Sequence, residues 1–310
     1  MTEIAFQKAA IELKGAVIRG RRKPLGPLNL RIPQGYVVAL VGPNGSGKST
    51  LMHLMLQIIH PDKGDISWFG EFTNEALPLA LRQRIGYVPE HSAVEENYMT
   101  AESAANFRAR WYPDWDRERF ETLMTRFGVP LRERLNRLSK GERRKFEIAA
   151  VLAAKPKLLL LDEPSSGLDP FAWKDMIAEL RACMEEDEED VTIVLSTHVV
   201  EEVKRLADYI VLIHQGQILG MAEKDSLFGG FMEIWVRGAD RNRIEAWPEV
   251  LTVSEDGPGI LKLIVKDSYE LEQRVGALES DVQLIKSRSL ELEEILDLWM
   301  QGYKPEGIID

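Results

Sequence analysis

One stretch constrains this chain more than any other. The apolar run Tyr36-Val37-Val38-Ala39-Leu40-Val41 leads directly into Gly42-Pro43-Asn44-Gly45-Ser46-Gly47-Lys48-Ser49-Thr50, and helical spacing follows through residue 59. A continuous apolar run of this length suits a strand buried on both faces of an α/β sheet. The turn matches G-x-x-x-x-G-K-[ST], a pattern that ordinary residue frequencies produce about 0.01 times in a chain this long. Its glycines let backbone N–H groups curl around the β- and α-phosphates of a nucleotide. Lys48 reaches the terminal phosphates, and the Ser49 hydroxyl ligates Mg²⁺. The helix that follows points its positive end at the same anion. The alternative is an ordinary glycine-rich strand-to-helix turn.

A second element agrees with the first. Leu158-Leu159-Leu160-Leu161 delivers Asp162-Glu163-Pro164 at the end of a second buried strand. Asp162 is suited to hold Mg²⁺ through water, and Glu163 to orient or deprotonate an attacking water. Many strands end in acids, so this element gains its weight from lying downstream of the first. Together the two point to a nucleoside triphosphate with Mg²⁺.

The surroundings are α/β. Strands are expected at 11–18, 28–32, 36–41, 66–69, 85–88, 158–161, 191–196 and 209–214. Helices are expected at 48–59, 101–110, 117–127, 141–154, 171–186 and 199–206, with Pro170 in the first turn of its helix. Residues 92–145 read as a helical insertion, dense in aromatics. Phe107, Trp111 and Phe120 are expected to form its own small core, and Tyr112 and Trp115 to offer a partner surface. After Phe228-Gly229-Gly230 the order becomes β-α-β-β-α-β over about 231–303, as in a ferredoxin-like α+β unit. Its second helix is expected at 269–280. The domains expected are therefore 1–228 and 231–303.

With 310 residues the chain can bury a full core without disulfides. Its single cysteine, Cys183, allows no intrachain bridge and fits a cytosolic setting. The net charge of −11 argues against a broad nucleic-acid grip, which needs Lys and Arg to displace counterions. No apolar run approaches the ~18–20 residues of a membrane span, so the chain reads as soluble, with any membrane role supplied by a partner. The start of the chain lacks the basic and apolar regions of a secretory signal. His53, His60, His91 and His214 show no metal-ligand spacing.

Between the two phosphate-directed motifs lies Leu138-Ser139-Lys140-Gly141-Glu142. Ser166-Gly167-Leu168-Asp169 and Leu195-Ser196-Thr197-His198 follow the acidic pair, and Ile85-Gly86-Tyr87-Val88-Pro89-Glu90 precedes it. In this order, over residues 8–228, the set resembles the signature, D-loop, switch-histidine and Q-loop motifs of ABC ATPases. The resemblance implies a P-loop NTPase of the ABC type with a helical subdomain, using ATP and Mg²⁺. It implies that Ser139, Lys140, Gly141 and Glu142 meet the γ-phosphate held on a second protomer's cradle, so that ATP joins two ATPase domains. It implies that Ser166 and Asp169 communicate across that seam, that His198 contacts the γ-phosphate, and that Lys48 and Glu163 serve catalysis.

Three departures accompany the resemblance. Glu90 stands where the Q-loop has glutamine, which makes it a candidate Mg²⁺ ligand through water and adds negative charge. Lys140 replaces a signature glycine, and reads either as a solvated lysine or as a sensor of phosphate charge. The hairpin Ile18-Arg19-Gly20-Arg21-Arg22-Lys23 lacks an aromatic to stack on adenine. An arginine plane can stack there instead, or the hairpin is a solvated turn. Weak discrimination between ATP and GTP follows.

The pattern is most similar to ATPases of ABC-2-type exporters. On that resemblance the chain drives export through separate transmembrane permease subunits. It would sit at the cytoplasmic face of the membrane, pairing with a second ATPase protomer as a homodimer or heterodimer. An importer ATPase, a soluble ABC ATPase acting on ribosomes or nucleic acid, and a catalytically dead regulator are the competing readings.

Overall fold

The computed structural model describes residues 8–20, 24–72, 76–92, 94–185, 191–266, 282–305 and 307–309. The chain divides into two compact units, Met1–Ile218 and Leu219–Asp310, ten residues ahead of the expected boundary at 228.

The first unit begins with β1 (Ala9–Ile18), β2 (Leu25–Pro33) and β3 (Val37–Val41), then α1 (Lys48–Met55). It continues through β4 (Lys63–Trp68), β5 (Glu71–Phe72), α2 (Leu79–Arg82) and β6 (Ile85–Val88). Next come α3 (Ala101–Ala109), α4 (Arg117–Arg126), α5 (Lys140–Ala153) and β7 (Leu158–Asp162). It closes with α6 (Pro170–Glu185), β8 (Thr192–Ser196), α7 (Val200–Leu206) and β9 (Tyr209–His214). The helix α1 stops short of residue 59 because Gln57 takes a left-handed φ of 51°.

Five of these strands form a parallel sheet in the order β9-β3-β8-β7-β6. Every residue of β3, β7 and β8 is buried, as the unbroken apolar runs require. Burying each leucine of β7 contributes about 1.5–3 kcal/mol. Because the strands are parallel, their carboxyl ends share one edge, and the segments after β3, β6, β7 and β8 all emerge there. Ligands bind at that edge in open α/β sheets. A separate antiparallel sheet runs β2-β1-β4-β5.

The helical insertion packs differently from the sequence expectation. Phe120 is buried and meets Phe146 of α5 edge-on, with ring centroids 6.2 Å apart. Phe107 and Trp111, in contrast, are exposed at 45% and 56%. The buried stripe of α3 is Ala101, Ala104 and Ala105, and Arg108 continues it at helical spacing. Phe107 lies off that stripe, and Trp111 follows the helix end.

The second unit begins within β10 (Gln217–Glu223), followed by α8 (Lys224–Gly229), β11 (Phe231–Arg237) and α9 (Arg241–Glu245). Then come β12 (Val250–Glu255), β13 (Ile260–Lys266), β14 (Gln283–Ser289) and α10 (Leu292–Met300). Four strands pair antiparallel in the order β12-β13-β11-β14. Ile234, Val236, Ile244, Leu261, Leu263 and Val265 close a core of their own. The helix expected at 269–280 falls outside the described residues.

Candidate functional site

The turn after β3 is shaped by backbone conformations that only glycine adopts freely. Gly42 has φ 147°, and a Cβ there would stand 2.0 Å from the Ile213 carbonyl oxygen, so no side chain fits. Gly47 has φ 118° and begins α1 without any side-chain cap, which leaves the first N–H groups of that helix open to an anion. The Lys48 ammonium donates to the carbonyls of Gly42 at 2.7 Å and Pro43 at 3.4 Å. Burial pushes the Lys48 pKa down, while the carboxylates of Glu163 and Asp162 draw it back up. The Ser46 hydroxyl is buried and has no hydrogen-bond partner among the described residues. Around this turn lies a cavity of about 430 Å³, lined by residues 44–50 with Leu25, Glu90, Glu163 and His198. Leu25 was not legible as a site residue. A Cβ on Gly47 would lie 2.8 Å from its Cδ1, so that leucine covers the cradle from the neighbouring sheet.

The acidic pair sits at the end of β7. Asp162 is buried, and the Ser196 hydroxyl at the end of β8 donates to its Oδ1. Glu163 adopts a left-handed φ of 49°, a conformation that costs a non-glycine residue about 1–3 kcal/mol. Its N–H donates to the Ser196 carbonyl at 3.0 Å, which holds that conformation. The strained turn aims Glu163 into the cavity, where its Oε2 is 2.8 Å from Nδ1 of His198. The carboxylate thereby faces both the phosphate cradle and the histidine.

The cradle suits a triphosphate: free helical amides, an ammonium and an unpartnered buried hydroxyl face one cavity. The nearby metal donors are hard oxygens, from Ser49, Asp162 and Glu90. Among the described residues no group of three His, Cys, Asp or Glu side chains could hold a metal. Mg²⁺ keeps water and phosphate oxygens alongside one or two carboxylates, so this donor set fits Mg²⁺ arriving with a nucleotide.

The remaining predicted residues form a second group that does not line the cavity. Ser139 caps α5. Its Oγ accepts the Glu142 N–H at 3.2 Å, and Glu142 returns a carboxylate oxygen to the Ser139 N–H at 2.8 Å. The Lys140 ammonium reaches across to the Ser166 hydroxyl at 2.9 Å. A Cβ on Gly141 would sit 2.8 Å from the Gly167 carbonyl oxygen, and one on Gly167 would sit 2.7 Å from Cγ of Lys140. The two segments are therefore in direct contact within one chain. Asp169 caps α6, accepting the N–H groups of Phe171 and Ala172 at 2.9 Å each. Those bonds, the Ala172 one foremost, hold its carboxyl below the usual range.

Several buried charges were missed by the sequence reading. Arg144 of α5 is 4% exposed and donates to the carbonyls of Pro89 at 2.6 Å and Glu90 at 2.7 Å. Glu147 lies 2.7 Å from Arg108 and 2.9 Å from Arg143, and Arg108 also pairs with Glu96 at 2.6 Å. A groove of about 420 Å³ adjoins this network, lined by Trp111, Tyr112 and Trp115 together with Arg108 and Glu147. The available signal was that Arg143, Arg144 and Glu147 surround Phe146 on a helix that turns wholly apolar after Glu147. A larger cavity of about 550 Å³, lined by Arg119, Arg126, Glu179 and Cys183 among others, has no phosphate cradle.

The ABC transporter family matches residues 25–166 of this chain. The chain is 35% identical to the nickel import ATP-binding protein NikO of Rhodobacter capsulatus, over 67% of this chain and 87% of that protein. It is 33% identical to the daunorubicin resistance ATP-binding protein DrrA3 of Streptomyces coeruleorubidus, over 70% of this chain and 69% of that one. A solved structure described as the ATP binding subunit of an ABC transporter superposes with a TM-score of 0.63 at 26% identity, covering 70% of this chain and 91% of that one.

Proposed function

The chain belongs to the ABC transporter ATP-binding family and is an ATPase that uses ATP with Mg²⁺, and on that premise we propose that it drives export through separate transmembrane permease subunits. The observation that carries the reading is the convergence of Lys48, Glu163 and His198 on one glycine-built cavity.

In this reading the amides of residues 42–50 and Lys48 bind the phosphates, with Ser49, Asp162 and Glu90 on the side that takes Mg²⁺. Once bound, Mg²⁺ neutralises charge on the β- and γ-phosphate oxygens. Glu163 orients the attacking water and accepts its proton, and His198 holds the Glu163 carboxylate in place while facing the γ-phosphate. Ser139, Lys140, Gly141 and Glu142 meet the γ-phosphate on the partner's cradle, and Ser166 and Asp169 adjoin that seam. Loss of the γ-phosphate then frees the two protomers.

Export is favoured by Glu90, by the lysine in the signature and by the C-terminal unit. The order β12-β13-β11-β14, antiparallel throughout, supports a ferredoxin-like accessory domain there. Import is the second reading, because NikO is named for import. Among the described residues no helix is long and apolar enough to cross a membrane. Attachment at the cytoplasmic face is assigned to the permease, whose docking segment fits the groove walled by Trp111, Tyr112 and Trp115.

Glu163→Gln tests the composite site. In saturating Mg-ATP, light scattering of this variant should give a dimer that falls apart when nucleotide is removed. A protomer that stays single under those conditions, with and without its permease, would contradict the reading.

A further inference from the structure

Arg144 is a buried charge beside the nucleotide site that the mechanism above leaves without a task. It sits on α5, little more than one turn beyond the capping box of Ser139 and Glu142. Its two terminal nitrogens clasp consecutive carbonyls, Pro89 at 2.6 Å and Glu90 at 2.7 Å, where the chain leaves β6. A guanidinium in this fork geometry fixes both position and direction of what it holds.

The partners are neutral, which is the unusual feature. An arginine cannot shed its proton to relieve burial. A fully buried charge without a counter-ion is costly. Among the described residues Arg144 closes no ion pair of its own. Its compensation comes at longer range, from the charges of Glu147, Asp162 and Glu90, with the Tyr87 hydroxyl also facing it. Two of those acids also bear on the phosphate cradle: the buried Asp162 acts on the Lys48 ammonium, and Glu90 lines the same cavity as Lys48 and Glu163. A triphosphate adds further negative charge to this cluster, and Lys48 is the lysine set against it among the residues that line the cavity. Arg144 adds a second fixed positive charge from behind the wall.

We propose that Arg144 is a positioning residue of the nucleotide site. Its fork ties the Pro89–Glu90 turn to α5, and its charge is the counterweight that permits a carboxylate at position 90. The inference rests on the nucleotide-site reading given above.

The test is equilibrium binding of a fluorescent AMP-PNP to the full chain, with Mg²⁺ and with EDTA, alongside thermal melting. Arg144→Met should weaken Mg-AMP-PNP binding about tenfold, and adding Glu90→Gln to that variant should restore most of it. Arg144→Lys keeps the charge and loses the fork, so it should bind within about threefold of the parent while loosening the turn. A merely structural arginine would lower the melting temperature and the affinity together, with no rescue from Glu90→Gln. That outcome overturns the proposal, as does unchanged binding in Arg144→Met. Should Arg144→Met fail to fold, the lysine variant decides: a tenfold loss unrelieved by Glu90→Gln refutes the charge role, and binding near the parent's supports it. Failure of the parent chain to bind Mg-AMP-PNP would instead count against the nucleotide site itself.

Discussion

Replacing Glu147 by glutamine should loosen the packing of α3 on α5, which this carboxylate ties together. The carboxylate is buried and holds two cations, Arg108 at 2.7 Å and Arg143 at 2.9 Å. Its own burial opposes ionisation, but the two arginines prevail and keep its pKa below the usual range. Arg108 is correspondingly held above its ordinary value: burial opposes its charge, and Glu147 and Glu96 outweigh it. Glutamine preserves shape and removes the charge, leaving Glu96 as the acid partner of Arg108 and weakening the hold on Arg143. Removing one partner of a buried pair costs about 3–5 kcal/mol. For a unit of this size that corresponds to a fall of roughly 6–20 °C in the melting temperature. The assay is calorimetry of the full chain across pH 6–8, reading the transition of the first unit. Combining Glu147→Gln with Arg108→Met should cost less than the sum of the single changes by about 1–3 kcal/mol. A melting temperature within about 2 °C of the parent, or strict additivity, would show that the network is solvent-relieved and carries no such load.

Three further outcomes are expected. Alanine at both Tyr112 and Trp115 should lower permease-stimulated transport while basal ATP hydrolysis persists; unchanged transport would take both residues out of the docking surface. Glu202 is fully buried, and that burial raises its pKa, against the pull of the Ser165 and Thr197 hydroxyls; the charges of Glu163 and His198 act on it in opposite senses. The fold therefore prefers the protonated acid, and stability falls as pH rises from the ordinary carboxylate value through the folded one. Glu202→Gln should raise the melting temperature at pH 8 and lose that advantage near pH 4, and an advantage that grew on acidification would reverse the sign of this account. ATP and GTP should bind with affinities within about tenfold of each other, because the segment 18–23 carries no aromatic to stack on a base; a strong ATP preference by competition binding would refute this.

The sheet and the cradle were legible because the information for each lies in a few adjacent residues. Strands β6 and β9 fall at the expected 85–88 and 209–214. The glycines of the cradle and the acids after β7 are contiguous because phosphate chemistry needs them contiguous. What escaped the sequence depends on partners far along the chain. Arg144 meets Pro89 from 55 residues away, and nothing in either segment announces the other. Leu25 joins the cavity from a different sheet. Phe107 and Trp111 were misplaced because aromatic density was read as a core, whereas the alanines of α3 set its buried stripe. The short pieces α2 and α8 carry too few residues for their periodicity to register.

The capped start of α5 has a consequence for how two protomers close. Ser139 and Glu142 satisfy each other's amides before any visitor arrives. On the reading proposed here, an incoming γ-phosphate meets an occupied seat and must exchange places with a resident carboxylate. Its net gain is only the difference between the two sets of bonds, tempered by the ammonium of Lys140 nearby. Separation is then the resting condition of the pair, and a diphosphate, lacking the terminal group, has nothing with which to unseat Glu142.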